Sequence, residues 1–158
     1  MTISDKYDVQ TGYLKKEAFE EFADMAERED KFKSVPIGVL FTDINDLKKY
    51  HDYYGHAMSD LQIRKVALVI EEATKCRGEY YRFGGDEFVV VFWGFKKEEF
   101  DRYTKSVDDA RKSLEESGSI TFAAGECYTE SAKDIRVALK TAYENMRADK
   151  ERYHARHP

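Results

Sequence analysis

The sequence predicts an α/β chain of the α+β kind, in which one layer of sheet is covered by helices. Short apolar runs of strand length alternate with longer segments whose apolar residues recur every three or four positions. Two of the runs are separated by a short segment that contains two glycines, as in a hairpin. The predicted order of elements is α-β-α-α-β-β-α-β-α, which is typical of a ferredoxin-like or polymerase-palm core.

The chain opens with a predicted helix and a predicted strand. The helix begins near Thr11 and Gly12 and runs through residues 15–29. Its apolar positions have helical spacing and are Ala18, Phe19, Phe22, Met25 and Ala26. Residues 36–43 form a short apolar run bounded by polar residues, which predicts a buried strand.

Two further helices are predicted after this strand. Residues 45–54 form a short helix that Gly55 ends. Ser59 or Asp60 is expected to cap a longer helix that continues through Thr74. The residues predicted to face inward from it are Leu61, Val66, Ala67, Leu68 and Ile70. The aromatic run Tyr50, Tyr53 and Tyr54 is interpreted as helix packing rather than as a platform for stacking bases.

The second half of the chain predicts a hairpin followed by two helices and a strand. Residues 80–83 and 88–93 form the two arms of the hairpin. The reversal contains Gly84 and Gly85, which we expect to supply the positive φ angles of a tight turn. The remaining predicted elements are a helix at 96–116, a strand at 119–125 and a closing helix at 131–152.

Length and composition indicate one globular domain. The chain has 158 residues, of which 42% are hydrophobic and 36% are charged, so we expect a single domain over residues 1–158 with a core at about 8–152. The net charge of −5 and the interleaved acids and bases disfavour a nonspecific nucleic-acid-binding protein. Two cysteines outside any CxxC spacing, no apolar stretch of membrane-spanning length and no signal core favour a cytoplasmic domain without a membrane segment.

Two acidic residues are candidates for catalysis. Asp43 ends the first buried strand, and Asp86 lies in the hairpin reversal. If that strand lies beside the hairpin, the two carboxylates converge at one edge of the sheet and can hold Mg²⁺ next to substrate phosphates. The helix that starts just after Asp43 would offer free N–H groups to phosphate oxygens. Aspartate is also common at strand ends and in turns, so spacing alone leaves a purely structural interpretation open.

The motifs around these acids resemble those of the GGDEF diguanylate cyclases. The signature pentapeptide is complete at residues 84–88 and follows the arginine-aromatic pair Arg82 and Phe83. Residues 43–56 are similar to the segment D-I-D/N-x-F/L-K-x-I-N-D-x-x-G-H of the family, and Asp60 matches the aspartate four positions further on. Three more segments fit in order and spacing: 8–13 (D-x-L-T-G-L), 121–125 (T-x-S-x-G) and 142–150 (the closing helix).

The resemblance implies a fold and an activity. The fold would be that of the nucleotidyl-cyclase-like polymerase palm, with a mostly antiparallel central sheet of about five strands flanked by helices. The activity would be the condensation of two GTP molecules into cyclic di-GMP and two pyrophosphates. Two protomers would meet head to head as a homodimer, and each 3′-hydroxyl would attack the α-phosphate held by its partner. An upstream sensor domain or partner would supply the signal.

The resemblance also implies roles for individual residues. The ligands of Mg²⁺ (or Mn²⁺) would be Asp43, the Ile44 carbonyl and Asp86. Glu87 would assist catalysis at the metal or at the ribose hydroxyl. The triphosphate would be held by the backbone amides of Asp46 and Leu47 and by the side chains of Lys48 and Lys150. Asp60, together with the residue at position 51, would bind guanine.

The sequence departs from the family pattern at a base-reading position and at the product-inhibition motif. His51 stands where the family usually has an asparagine that reads guanine. A neutral histidine offers one group at a time to the base edge. The product-inhibition motif R-x-x-D is replaced, with Lys75 and Gly78 at its ends, so no product inhibition is expected there. These departures leave two alternatives to an active cyclase, namely a degenerate regulatory domain that binds nucleotide and a cyclase with relaxed base specificity.

Overall fold

A five-stranded sheet forms the centre of the molecule. The structure is a computed structural model that describes residues 3–158, with side chains from Asp5 onward. The strands are β1 (Leu14–Lys15), β2 (Ile37–Ile44), β3 (Glu79–Arg82), β4 (Glu87–Trp93) and β5 (Phe122–Thr129). Their spatial order is β1-β3-β4-β2-β5. The β1–β3 pair is parallel and the other three pairs are antiparallel, which confirms the predicted mostly antiparallel α+β sheet.

Five α-helices cover the sheet. They are α1 (Lys16–Arg28), α2 (Leu47–Tyr54), α3 (His56–Ala73), α4 (Lys97–Glu116) and α5 (Ile135–Arg156). Three short 3-10 helices lie at Ile3–Lys6, Asp30–Ser34 and Ala132–Asp134.

The two faces of the sheet bury separate hydrophobic cores, because successive strand residues point to opposite sides. On β2, Leu40 and Ile44 belong to the core that also contains the buried residues of α3 and α4. Val39 and Phe41 belong to the other core, which contains the buried residues of α1 and α5. Asp43 shares the parity of Val39 and Phe41, so its side chain emerges on the α5 side of the sheet.

Strand β2 carries the site, and it lies inside the sheet between β4 and β5. All eight of its residues are buried, as a strand covered on both faces requires. Its register pairs Asp43 with Glu87 on β4 and with Ala123 on β5. The end of β2 therefore lies beside the reversal that connects β3 to β4.

Helix α5 packs unusually close to β5 at Gly125. A Cβ atom on this residue would lie 2.1 Å from the Met146 backbone nitrogen and 2.3 Å from the Ala142 carbonyl oxygen. Only a residue without a side chain allows this approach. The contact fixes the height of α5 over the sheet and hence the position of the residues one turn beyond Met146.

The structure corrects several predicted boundaries. Residues 14–15 are a strand rather than part of the first helix, because they pair with β3. Helix α3 begins at His56 after Gly55, whose φ is 87°, so Ser59 lies inside the first turn and neither Ser59 nor Asp60 is the cap. The last strand is displaced to Phe122–Thr129.

Two inward-facing predictions on α3 are wrong. Leu61 and Leu68 are 49% and 57% exposed. They are seven residues apart and share one face of the helix, whereas its buried residues are Ser59, Ile63, Val66, Ala67 and Ile70. The predictions for Val66, Ala67 and Ile70 are confirmed.

The glycines of the hairpin reversal have a different role from the predicted one. The glycines with positive φ are 12, 55, 94 and 118 in the described part of the chain, and Gly84 and Gly85 are not among them. A Cβ on Gly84 would instead lie 2.9 Å from Glu87 Oε1. The missing side chain at Gly84 therefore leaves room for the Glu87 carboxylate.

Candidate active site

Asp43 is held from the helix side by Lys150. The ammonium nitrogen of Lys150 lies 2.8 Å from Asp43 Oδ1 and 3.4 Å from the Ile44 carbonyl oxygen. The side chains of Asp43 and Lys150 are only 11% and 16% exposed. The structure thus places three of the predicted site residues, from β2 and α5, in direct contact.

The signature reversal places Asp86 against the end of β2. The Ile44 N–H donates to the Asp86 carbonyl at 2.9 Å, and the Phe83 N–H closes the loop on the Glu87 carbonyl at 2.9 Å. Burial and then the nearby charge of Asp86 raise the pKa of Asp43, so the two carboxyls lie close together. The convergence of the two acids that the sequence predicts is therefore present in the structure.

The local electrostatics make the carboxyls of Asp43 and Glu87 weaker acids than usual. Burial raises the pKa of Asp43 to about 6, and the negative charge of Asp86 adds to this, although the Lys150 ammonium opposes it. Burial, followed by the charge of Asp86, also raises the pKa of Glu87. Both raised pKa values reflect the cost of placing negative charge here, so the site favours the approach of a cation.

Arg82 holds the shape of the reversal from behind. Its guanidinium donates to the Gly84 carbonyl at 3.2 Å and to the Gly85 carbonyl at 2.7 Å. It also donates to Asp8 Oδ2 at 3.0 Å and to Gln10 Oε1 at 2.8 Å. These four bonds tie the N-terminal segment to the turn that carries Asp86.

The contact between Arg82 and Asp8 is stabilised on both sides. Asp8 Oδ2 also accepts from the Thr11 backbone N–H at 2.9 Å and from the Thr11 hydroxyl at 2.7 Å. Burial opposes ionisation of Asp8, but the hydrogen bonds from Thr11 and Arg82 outweigh it and hold its pKa below the ordinary value. Sequence reasoning found both motifs but missed that Asp8, Gln10 and Arg82 form one support for the reversal.

The donor set at the edge of the sheet fits a magnesium ion bound together with phosphates. Within residues 3–158, no cluster of three or more His, Cys, Asp and Glu side chains is arranged to hold a metal ion. The site instead offers two carboxylates, on Asp43 and Asp86, and the Ile44 carbonyl. Mg²⁺ in nucleotide enzymes commonly takes one or two carboxylates and completes its octahedron with phosphate oxygens and water. The assignment of Mg²⁺ or Mn²⁺ to these residues stays a prediction.

The start of α2 has the geometry of a phosphate site. Asp46 adopts a left-handed conformation with φ of 58°, and the helix begins at Leu47. The first amides of a helix have no acceptor within the helix and can bind an anion. Lys48 is exposed beside them. The Asp46 carboxylate accepts from the Tyr153 hydroxyl at 3.2 Å, so α5 also contacts this loop.

The residues predicted to read the base, His51 and Asp60, lie on α2 and α3. The rings of His51 and His56 are in contact, with centroids 3.9 Å apart. Asp60 is exposed, and its backbone carbonyl accepts a long 3.5 Å bond from Gln10. This end of the site is therefore much more open to solvent than the carboxylate end.

The interpretation of the tyrosines of α2 as helix packing is wrong. Tyr53 is 81% exposed and Tyr54 is 54% exposed, and the rings of Tyr50 and Tyr54 lie 4.5 Å apart. The three tyrosines line an open cavity of about 490 Å³ next to the phosphate loop. It is bordered further by Asn45, Asp46, Lys49, Tyr153 and residues 118–121.

The position that departs from the product-inhibition motif is closely packed. A Cβ on Gly78 would lie 2.3 Å from Val90 Cγ1, so a side chain there would have to displace the Val90 side chain. Lys75 and Cys76 precede it with φ angles of 53° and 56°. The expectation of no product inhibition through this site stays a prediction.

Comparisons with known proteins agree with the motifs. The family model described as "Diguanylate cyclase, GGDEF domain" matches residues 5–156. Diguanylate cyclase A of Treponema denticola is 29% identical over 130 residues, which are 76% of this chain and 35% of that protein. An uncharacterised membrane protein of Staphylococcus saprophyticus is 26% identical over 149 residues, which are 87% of this chain and 41% of that protein.

The chain thus spans about two fifths or less of the length of these relatives. Across residues 3–158, none of the helices combines the length and the apolar character needed to cross a membrane.

A solved structure shows the same fold. The GGDEF domain of DgcB from Caulobacter crescentus, solved in complex with c-di-GMP, superposes with a TM-score of 0.76 at 23% identity. The match covers 96% of this chain and 93% of that domain. Together with the family match over nearly the whole length, it establishes that the chain belongs to the GGDEF domain family of diguanylate cyclases.

Proposed function

We propose that this domain is an active diguanylate cyclase that condenses two GTP molecules into cyclic di-GMP and two pyrophosphates. The observation that carries the proposal is the bond of the Ile44 N–H to the Asp86 carbonyl, which brings the Asp86 turn against the end of β2 where Asp43 lies. Relatives named as diguanylate cyclases support this product. The similar domain from Caulobacter crescentus was solved in complex with c-di-GMP, which agrees with it.

The residues of the site divide the work by position. Asp43, Asp86 and the Ile44 carbonyl would hold Mg²⁺ or Mn²⁺, which supplies positive charge to activate the attacking oxygen and stabilise the leaving pyrophosphate. The amides of Asp46 and Leu47, with Lys48, would orient the triphosphate. Glu87, whose pKa burial raises, lies in the same cluster and would assist at the metal or at the ribose hydroxyl. Catalysis would come mainly from positioning and charge neutralisation.

The reaction needs two copies of the domain. Each copy would bind one GTP, and each 3′-hydroxyl would attack the α-phosphate held by the other copy. A head-to-head homodimer therefore assembles the complete active site. The rate of product formation should rise more steeply than linearly with protein concentration until the dimer is saturated.

A second candidate function is a cyclase with relaxed base specificity. His51 supports it, because its ring packs against His56 and a neutral imidazole presents a single donor or acceptor to a base edge. Asp60 is exposed and would act with His51 on the base. Such an enzyme would also make an adenine-containing dinucleotide.

The test is a product assay at several protein concentrations. The domain is incubated with Mg²⁺ and GTP, ATP or both, and the products are resolved by chromatography and mass spectrometry. We expect cyclic di-GMP from GTP, and its loss in Asp86→Ala. An adenine-containing product from mixed substrates would favour the second candidate function.

Asp109→Ala is the matched control, because Asp109 is an exposed acid on α4 that pairs with Lys105. It should leave product formation unchanged. Tight GTP binding without product, at protein concentrations where the domain is dimeric, would contradict the proposal and indicate a regulatory nucleotide-binding domain.

A further inference from the structure

The ammonium of Lys150 contacts two of the oxygens that a divalent ion would use. It lies 2.8 Å from Asp43 Oδ1 and 3.4 Å from the Ile44 carbonyl oxygen. Mg²⁺ and Mn²⁺ bind carboxylate and carbonyl oxygens at close range. The Lys150 ammonium and a divalent ion are therefore competitors for one set of oxygens.

The fold directs Lys150 into this position. Met146 lies one helical turn before Lys150 and is fully buried against the sheet. The neighbouring Asp149 binds the Ala124 backbone N–H at 3.0 Å and also pairs with Arg111. These contacts fix the last turns of α5 over β5, so the backbone at Lys150 is held in place.

The charge of Lys150 serves the cluster of acids. The Lys150 ammonium pairs with Asp43, and Asp86 and Glu87 lie beside that pair at the start of β4. Leaving such half-buried carboxylates without a cation is unfavourable. Lysine is suited to a temporary contact, because its charge sits on a flexible four-carbon stem with three rotatable donors.

We propose that Lys150 is a positioning residue whose ammonium binds the oxygens of Asp43 and Ile44 in place of a divalent ion. When a nucleoside triphosphate binds, its phosphates attract the ammonium, and the divalent ion takes over these oxygens. This inference rests on the proposed function, because it assigns the divalent ion to Asp43 and the triphosphate to the neighbouring loop. The proposal predicts that Lys150 has opposite effects on the affinities for the divalent ion and for the nucleotide. Lys150 weakens binding of the metal when no nucleotide is present, and it strengthens binding of the nucleotide when no metal is present.

The first experiment measures Mn²⁺ binding to the nucleotide-free protein by electron paramagnetic resonance of the free ion. We expect Lys150→Met to bind Mn²⁺ about tenfold more tightly, because hydrogen bonds between charged groups are strong enough to compete at this level. Lys150→Arg keeps the charge and should bind Mn²⁺ as the wild type does. Lys150→Gln serves in place of the methionine variant if that variant unfolds.

Lys16→Met is the matched control for loss of a positive charge. Lys16 lies over the Phe83 ring, and its charge lowers the pKa of Glu87, as that of Lys150 does. Its removal should change the Mn²⁺ affinity less than about twofold, since an exposed charge is largely screened. An equal gain in Lys16→Met and Lys150→Met would show a general charge effect and overturn the inference.

The second experiment measures GTP binding by calorimetry with EDTA present. Lys150→Met should weaken this binding about tenfold while strengthening Mn²⁺ binding, a pair of opposite changes that simple loss of structure does not produce. If Lys150→Met binds GTP as tightly as the wild type, the proposed exchange of Lys150 between metal ligands and nucleotide is wrong.

Asp43→Asn separates failure of the inference from failure of the proposed function. If Asp43→Asn loses Mn²⁺ binding but Lys150→Met gains none, the inference is wrong and the proposed metal site stands. If Asp43→Asn binds Mn²⁺ as the wild type does, the metal lies elsewhere and the proposed function loses its main support.

Discussion

The carboxylate end and the base-reading end of the site differ in how firmly the protein holds them. At the carboxylate end, Asp43 and Lys150 are 11% and 16% exposed and bind each other. At the base-reading end, Asp60 is exposed and His51 packs against another histidine. The phosphate and metal chemistry is thus prepared by the fold, whereas base recognition is left to side chains that compete with water.

The difference follows from the elements that carry each end. Asp43 lies on β2, a fully buried strand inside the sheet, and Arg82 supports the adjacent reversal with four hydrogen bonds. His51 lies on α2, an eight-residue helix of which no residue is fully buried. Short helices gain most of their stability from packing, so α2 is the less constrained support.

The largest expected effect contrasts the two ends directly. Asp43→Asn should lower the rate of cyclic di-GMP formation about 10³-fold. The change weakens the binding of the metal ion, whose positive charge would stabilise the transition state. Asp60→Asn should lower it about tenfold, mainly through a higher KM for GTP. Steady-state kinetics at fixed dimer concentration measure both. Equal losses in the two variants would remove the distinction between the ends.

The next effect concerns the stability of the support for the carboxylate end. Gly125→Ala should lower the free energy of unfolding by about 1–3 kcal/mol, since the added methyl group meets the backbone of α5 and overpacks the interface. Denaturant titration measures it. Gly85→Ala is the control, because a Cβ there would meet no atom within 4 Å. A neutral Gly125→Ala would mean that α5 is free to move away from β5.

We expect pH to change the Mn²⁺ affinity of the carboxylate end about tenfold. The pKa of Asp43 is raised to about 6, and metal binding requires the ionised carboxylate. Mn²⁺ affinity should therefore fall about tenfold between pH 7 and pH 5. Titrations at both pH values measure this fall. A flat profile would show that the carboxyl is already ionised at pH 5.

The same shift has the opposite sign for stability. A carboxyl that binds its proton more tightly in the folded state makes the protein relatively more stable as the pH falls through 6 toward 4. Asp43→Asn mimics the protonated form, so it should be more stable than the wild type by about 1–2 kcal/mol at pH 7.5. This difference should disappear near pH 4.

The sequence was sufficient for the features that depend on strong local patterns. The apolar run of β2, the hairpin and the position of Asp43 beside Asp86 were predictable, because strand order and the reversal bring their ends together. The contact of Lys150 with Asp43 was not. It depends on the close approach of α5 at Gly125, and a lone glycine in a strand does not say which element will approach it.

The errors have identifiable physical causes. Residues 14–15 form a strand only because β3 provides a partner, so a local pattern could not reveal it. Leu61 and Leu68 were placed inward on hydrophobicity alone, although the buried stripe of α3 lies on another face. Gly84 leaves room for the Glu87 carboxylate, a contact that the turn rule does not contain.

The smallest expected effect tests the open end of the site. His51→Asn should lower the KM for GTP two- to threefold, which corresponds to about 0.5 kcal/mol of binding free energy, and should leave kcat unchanged. An amide offers the base a donor and an acceptor at once, but it still competes with water. The ratio of GTP to ATP use, measured in mixed-substrate assays, should rise by the same factor. The control His56→Asn should not raise it. A tenfold change in kcat would show that His51 positions the reacting groups, and the base-reading end would then be as firmly organised as the carboxylate end.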